Sequence, residues 1–160
     1  MTTSENTLSR VRTSVGSYGV SLDLIKDYLK VENTNSDALL SGFITASYEY
    51  ITERQNRDYS EATYSANISS GSAVYITTQY VNSVSTGSLR NELDGAYVDF
   101  DTPFSGEVTY TVASGSSVPA KVMTVQHLLV ALWYENPDAD LAKALDFTIN
   151  NILGVGYFRA

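Results

Sequence analysis

The stretch PAKVMTVQHLLVALWYEN spans residues 119–136, and from Val122 to Tyr134 it is apolar on almost every side. Gln126 and His127 are the main polar exceptions. Pro119 stands in the first turn, where a helix tolerates proline because that N–H has no partner within the helix. A helix that is hydrophobic all round has to be enclosed. The pattern therefore predicts a helix that other helices, a sheet or a neighbouring subunit must cover.

Helical periodicity predicts three more helices around this one. Ser21 is a suitable N-cap for a short helix over residues 22–30, and Ser36 caps a second helix that continues to about residue 56. After the Asn-Pro pair that ends the long helix, acidic residues open a fourth helix over residues 138–153. The helices thus form one pair near each end of the chain.

The residues between the two helical pairs follow a different pattern. Short runs alternate between apolar and polar side chains, and glycine and asparagine separate them. Residues 69–72 and 92–95 have turn-like sequences. We expect a small antiparallel sheet whose strands lie at residues 64–68, 74–80, 82–86, 96–100 and 107–113.

The order of these elements predicts a mainly α fold with a small antiparallel β insertion. Helices at the two ends of a chain share a core only if the termini come together. We therefore expect a four-helix core formed by the N- and C-terminal helix pairs, with the sheet between helices two and three. The predicted single domain consists of a flexible arm (1–20), a helical pair (21–57), the β insertion (62–113), a helical pair (119–153) and a C-terminal tail (154–160).

Bulk composition excludes several classes of protein. The chain has 160 residues, 43% of them hydrophobic, so about 70% of its unfolded surface can be buried without a metal or disulfide. It has no cysteine and a formal net charge of −8. The start lacks a signal-peptide pattern and no apolar run reaches about 18 residues, so we expect a soluble chain without a membrane partner. The acidic balance argues against sequence-specific DNA binding, although it is also common among soluble proteins.

Residues suited to catalysis or metal binding are scarce. The single histidine, His127, lies in the apolar helix with no Glu or second His four residues away. Asp94, Asp99 and Asp101 lack the alternating ligand spacing of a calcium loop. Gly115 is not followed by the Gly-Lys-Ser/Thr ending of a phosphate loop. We therefore expect no enzymatic activity, no catalytic, cofactor or metal site, and no cofactor. The 12 tyrosines fit protein interfaces as well as core packing.

Four segments carry a resemblance to a known family. These are VSLDLIKDYLKV at 20–31, SDALLSGFITAS at 36–47, the pair VPAK and HLLVALWYEN at 118–121 and 127–136, and Phe158-Arg159. In order and spacing they resemble the head-tail connector (adaptor) proteins of tailed bacteriophages. The matches cover about half of the chain, at both helical ends.

The resemblance implies a structural virion protein in the neck, present in the host cytoplasm during assembly. Such a protein forms a homo-oligomeric ring of roughly twelve subunits beneath the portal and contacts the next neck, stopper or tail protein. Viral DNA passes through the lumen without specific binding. The expected portal or subunit interface residues are Trp133, Tyr134, Ile152, Tyr157, Phe158 and Arg159.

Two other functions remain open at this stage. A small DNA-packaging or regulatory DNA-binding protein would bind DNA through a helical domain, and that binding would weaken as salt rises. A small enzyme would require a pocket with perturbed titrating groups.

Overall fold

The computed structural model describes residues 9–113, 118–136 and 150–153. These residues belong to two compact units. The sheet unit contains residues 9–16 and 58–113, and the helical unit contains residues 17–57, 118–136 and 150–153.

The helical unit contains helices α1 (Leu22–Leu29), α2 (Asp37–Gln55) and α3 (Ala120–Glu135). The Ser21 side chain accepts a hydrogen bond from the Leu24 N–H at 3.2 Å and caps α1, as its sequence predicts. The helices share a buried cluster of Val20, Ile25, Leu40, Ile44 and Val130. Of the predicted fourth helix, residues 137–149 lie outside the described part of the chain, and residues 150–153 are helical.

The sheet unit is a five-stranded antiparallel sheet. Its order is β1-β2-β5-β3, and β4 pairs with another part of β5. The strands are β1 (Ser9–Val15), β2 (Ala62–Thr77), β3 (Val81–Val84), β4 (Ser88–Glu92) and β5 (Gly95–Val112). Their inward-facing residues form a second apolar core that includes Ile76, Val98, Val108 and Tyr110.

The prediction of a mainly α fold is wrong, because the protein has an α/β fold with a curled five-stranded sheet. Strands β2 and β5 have 16 and 18 residues, nearly as many as the 19 and 16 residues of α2 and α3. The sheet is thus a structural unit of its own and not a small insertion.

Irregular pairing explains why the sheet is larger than expected. Gly71 pairs with Phe104 and Ala73 pairs with Asp99, so β5 has extra residues opposite a short piece of β2. Such bulges let two strands stay paired through sequence that would otherwise end them. Residues 69–72, predicted as a turn, therefore lie inside β2. The rings of Phe100 and Phe104 stack at 4.6 Å and close the extra loop of β5.

The segment predicted as a flexible arm also contributes to the sheet. Residues Ser9–Val15 form β1, which pairs antiparallel with β2 from Ser9 opposite Asn67 to Val15 opposite Ala62. Residues 1–8 lie outside the described part of the chain.

Candidate interaction surfaces

Gln126 is a buried polar centre of the helical unit. Its Oε1 accepts a hydrogen bond from the Val20 N–H at 3.0 Å, and its Nε2 donates to the Tyr18 carbonyl at 2.7 Å and to Ser47 Oγ at 3.1 Å. The side chain is fully buried, so water cannot reach its polar atoms. The three protein hydrogen bonds satisfy these atoms instead. Gln126 thereby joins the segment before α1 to both long helices. It accounts for one of the two polar positions in the apolar stretch of α3.

Trp133, a predicted interface residue, packs between two aromatic side chains of α2. Its ring centroid lies 5.9 Å from that of Phe43 and 6.2 Å from that of Tyr50. All three side chains are half-buried. Aromatic rings at such distances and tilts attract one another beyond their burial of area. The three rings form an aromatic cluster, and part of its surface is exposed to solvent.

The other predicted interface residues have different positions. Tyr134 is half-buried and packs against the core cluster of the helical unit. Ile152 is half-buried in the helical residues 150–153. Tyr157, Phe158 and Arg159 lie outside the described residues. Trp133, Tyr134 and Ile152 thus belong to the helical unit, and an interface role for any of the six residues stays a prediction.

His127 is a packing residue in this structure. Its Nδ1 lies 2.8 Å from the Met123 carbonyl oxygen, one turn earlier on α3. Its ring meets that of Tyr28 edge-on, with 5.0 Å between the centroids. The described part of the chain contains no group of three or more His, Asp or Glu side chains that could hold a metal ion.

Three exposed apolar side chains of the helical unit were missed by the sequence reasoning. Leu24 and Tyr28 on α1 are each 50% exposed, and Leu39 on α2 is 51% exposed. The sequence could have predicted that Leu24 and Tyr28 form a second apolar face on α1. They are four residues apart and lie off the face of α1 that Ile25 places in the core, so they form a second apolar stripe.

A buried ionic network holds β1 in the sheet unit. Arg12 on β1 donates to Asp58 Oδ1 at 2.9 Å, and the Tyr64 hydroxyl donates to Asp58 Oδ2 at 2.6 Å. Gln79 donates to the same Oδ2 at 3.1 Å and accepts from the Asp58 N–H at 2.7 Å. Burial, followed by the hydrogen bond to Asp58, raises the pKa of Tyr64 well above its usual value.

Two of the acidic residues that lie close together in sequence already have partners. Arg90 contacts both carboxylate oxygens of Asp99, at 2.9 and 3.1 Å, and this hydrogen bonding lowers the pKa of Asp99. The Tyr97 hydroxyl donates to Asp94 at 2.9 Å, which raises the pKa of Tyr97. These carboxylates stabilise the β4–β5 hairpin surface.

The fold defined by these two units is shared with solved structures of phage-like particles. A chain in the neck of an empty gene transfer agent particle, solved with C6 symmetry, matches with a TM-score of 0.62 and 17% identity, over 89% of this chain and 94% of that one. The chain has the fold of a neck protein. A neck chain of the native particle, solved with C12 symmetry, matches with a TM-score of 0.62 and 17% identity over 89% and 93% of the two chains.

A third match comes from the virion of the native gene transfer agent, with a TM-score of 0.61 and 16% identity over 91% of this chain and 94% of that one. No protein-family model matches the chain, and no curated protein matches it by sequence. The connector resemblance inferred from four short segments is therefore confirmed at the level of the fold. In the described part of the chain no helix is long and apolar enough to cross a membrane.

Proposed function

We propose that this protein is a structural subunit of the neck of a tailed phage or phage-like particle and acts without enzymatic chemistry. The observation that carries the proposal is the match to neck chains over about nine-tenths of both sequences, at 89% of this chain and 94% of the other. A match of that extent includes both units and not an isolated motif. The protein would reside in the virion neck, after assembly in the host cytoplasm.

The subunits form a homo-oligomeric ring that attaches beneath the portal and joins it to the next neck, stopper or tail protein. One of the matching necks was solved with C12 symmetry, which supports a ring of twelve copies. Closed rings form when each subunit uses two different surfaces, one for each neighbour. Viral DNA passes through the central hole of such a ring.

The charge of the chain suits a channel through which DNA moves. A formal net charge of −8 repels phosphate, and no cluster of Lys and Arg is available to neutralise a DNA backbone. We therefore expect no retardation of duplex DNA in a gel-shift assay at low salt. Retardation that weakens as salt rises would favour the alternative of a DNA-packaging or regulatory protein.

The interface residues of this proposal are of two kinds. Trp133 and Tyr134 stabilise the helical unit and the packing between subunits, because both are half-buried aromatic side chains at the end of α3. Ile152 and the terminal Tyr157, Phe158 and Arg159 engage the portal. This second assignment rests on the resemblance to connector tails.

Electron microscopy and mass photometry of the purified protein, with and without its portal protein, test the proposal. We expect a ring or a portal-bound species with twelve-fold symmetry. If neither species forms at any protein concentration, the proposed function is wrong.

A chain truncated after Leu153 tests the tail assignment separately. It should keep the circular dichroism spectrum of the full chain but lose attachment to the portal. Full retention of attachment would refute the assignment of the tail while leaving the ring proposal intact.

A further inference from the structure

Strand β1 occupies an edge of the sheet and pairs with β2 alone. The buried apolar core of the sheet unit contains no described side chain of β1, since Val11 is 62% exposed and Val15 is half-buried. A strand that leaves a sheet exposes apolar surface in proportion to the side chains that it had buried. β1 can therefore leave the sheet unit without taking its apolar core apart.

Two arginines fix β1 in the sheet unit. Arg12 donates to Asp58 Oδ1 at 2.9 Å, and only 1% of the Asp58 side chain is exposed. Arg10 donates to the carbonyl oxygen of Ile76. These directional bonds specify the register of the strand as well as the residue type at position 12. The acceptor site for β1 consists of the edge of β2 at residues 62–67 together with Asp58, and it recognises the sequence of this strand.

An empty acceptor site would leave Asp58 buried without a cation. Removing one partner of a buried ion pair is strongly destabilising, because the remaining charge has lost both water and its counterion. Whenever the chain's own β1 is absent, another strand with an arginine in the same register has to occupy the site. The β1 of a second copy is such a strand, because the structure already shows its fit to the site.

A short joint connects β1 to the helical unit. On one side of the joint, the Gly16 N–H donates to the Glu61 carbonyl of the sheet unit at 2.7 Å. On the other side, the Val20 N–H donates to Gln126 Oε1 of the helical unit at 3.0 Å. Residues 17–19 form the joint between these two anchors. Short joints of this kind favour the exchange of a terminal strand between copies of a chain.

We infer that β1 is exchanged between neighbouring subunits when the ring forms, so that Arg12 of one subunit contacts Asp58 of the next. This inference rests on the proposed function and specifies a contact that holds the ring together. The exchanged strand makes the same contacts that it makes within one chain, so exchange requires no additional complementary surface. The strand and its acceptor site are different surfaces of one chain, and exchange in one direction closes a ring. That closure fits the C12 symmetry of the matching neck.

Cysteine crosslinking tests the exchange, because the chain has no cysteine of its own. Val11 lies opposite Ser65 in the register of β1 and β2, and neither side chain belongs to the buried core. The full-length variant with Val11→Cys and Ser65→Cys is treated with dibromobimane, which bridges two adjacent thiols. In free subunits the bridge should form within one chain and leave a single-subunit band on a denaturing gel. In rings assembled on the portal protein, we expect a ladder of covalent multimers.

A pair of cysteines that does not involve β1 is the matched control. Ser65 also lies opposite Thr109, on the other side of β2. The variant with Ser65→Cys and Thr109→Cys should be bridged within one chain both in free subunits and in rings. An equally strong ladder from this control would overturn the inference, because the ladder would then reflect random contacts between subunits.

Locking β1 in place provides a second test. Free subunits with Val11→Cys and Ser65→Cys are bridged first and mixed with the portal protein afterwards. The bridge keeps β1 in its own sheet unit, so the yield of rings should fall at least 10-fold. Subunits bridged between Ser65→Cys and Thr109→Cys should assemble like the wild type. Equal ring yields from the two bridged proteins would overturn the inference.

The outcomes separate this inference from the proposed function. Rings in which the Val11→Cys and Ser65→Cys pair is bridged only within single chains refute the exchange and leave the ring intact. Failure of the wild type to form any ring or portal-bound species refutes both.

Discussion

Replacing Gln126 with leucine tests whether the buried amide holds the helical unit together. Leucine has nearly the same volume but cannot form the bonds to Val20, Tyr18 and Ser47, which measure 3.0, 2.7 and 3.1 Å. The largest loss of folding free energy comes from the Val20 N–H, which is buried and no longer has a hydrogen-bond acceptor. Such an orphaned group costs about 1–3 kcal/mol. Ser47 loses less, because its hydroxyl still donates to the Ile44 carbonyl at 2.8 Å.

The expected loss for Gln126→Leu is about 2 kcal/mol, since better burial of an apolar side chain offsets part of the lost bonding. In a chain of this size each kcal/mol lowers the melting temperature by about 2–4 °C. The melting temperature should therefore fall by about 4–8 °C. Urea unfolding followed by the fluorescence of Trp133 measures the effect, because the only tryptophan lies in the same unit.

Gln126→Glu is the matched control, and its effect depends on pH. The protonated acid can donate to the Tyr18 carbonyl and accept from Val20, as the amide does. The carboxylate can only accept and is buried, so folding raises its pKa above the unfolded value of about 4.3. Its stability relative to wild type therefore improves as pH falls from 7 towards 5. The reasoning is refuted if Gln126→Leu stays within about 0.5 kcal/mol of wild type, or if the deficit of Gln126→Glu does not change with pH.

Three further predictions concern the polar groups that hold each unit together. Asp58→Ala should destabilise the sheet unit by about 3 kcal/mol, because Arg12, Tyr64 and Gln79 all lose the buried carboxylate that they contact, whereas Asp58→Asn should cost less; urea unfolding monitored by circular dichroism would contradict this if the two variants were equally stable. The raised pKa of Tyr64 stabilises the fold below the unfolded value of about 10 and that contribution is lost as pH rises above it, so Tyr64→Phe should show a smaller drop in urea midpoint between about pH 9 and 11. Gly19 has a φ of +92° and faces the Gln126 amide, so Gly19→Ala should lower the melting temperature more than the same change at the exposed Gly42, and equal melting temperatures would count against it.

The helices could be predicted from the sequence because their signals are local. Ser21 caps α1, and the apolar spacing of α2 ends at Gln55, one residue before the predicted end at 56. The fold class could not be predicted, because β1 pairs with residues 62–67 of β2, about fifty positions away in the chain. Nothing local in the Ser, Thr and Val of the N-terminal segment specifies that partner. The bulges of β2 also made the sheet hard to predict, because Gly71 and its serine neighbours have the sequence of a turn although they lie within the strand.

The candidate surfaces were predictable to a lesser degree. Trp133 could be named from its position at the end of an apolar helix, but its contacts with Phe43 and Tyr50 depend on how α2 and α3 pack.

The way the chain passes between its two units determines the order in which they can fold during synthesis. Once the ribosome has released the chain beyond Val112, all five strands of the sheet unit are available to pair. The helical unit then has only α1 and α2, and the buried cluster of Ile25 and Leu40 still lacks Val130 of α3. Because units fold as they become complete, the sheet unit forms first, and apolar surface on α1 and α2 stays exposed until α3 has been translated. Slower translation of the codons between β5 and α3 would lengthen that interval and give the sheet unit more time to form before α3 completes the helical core.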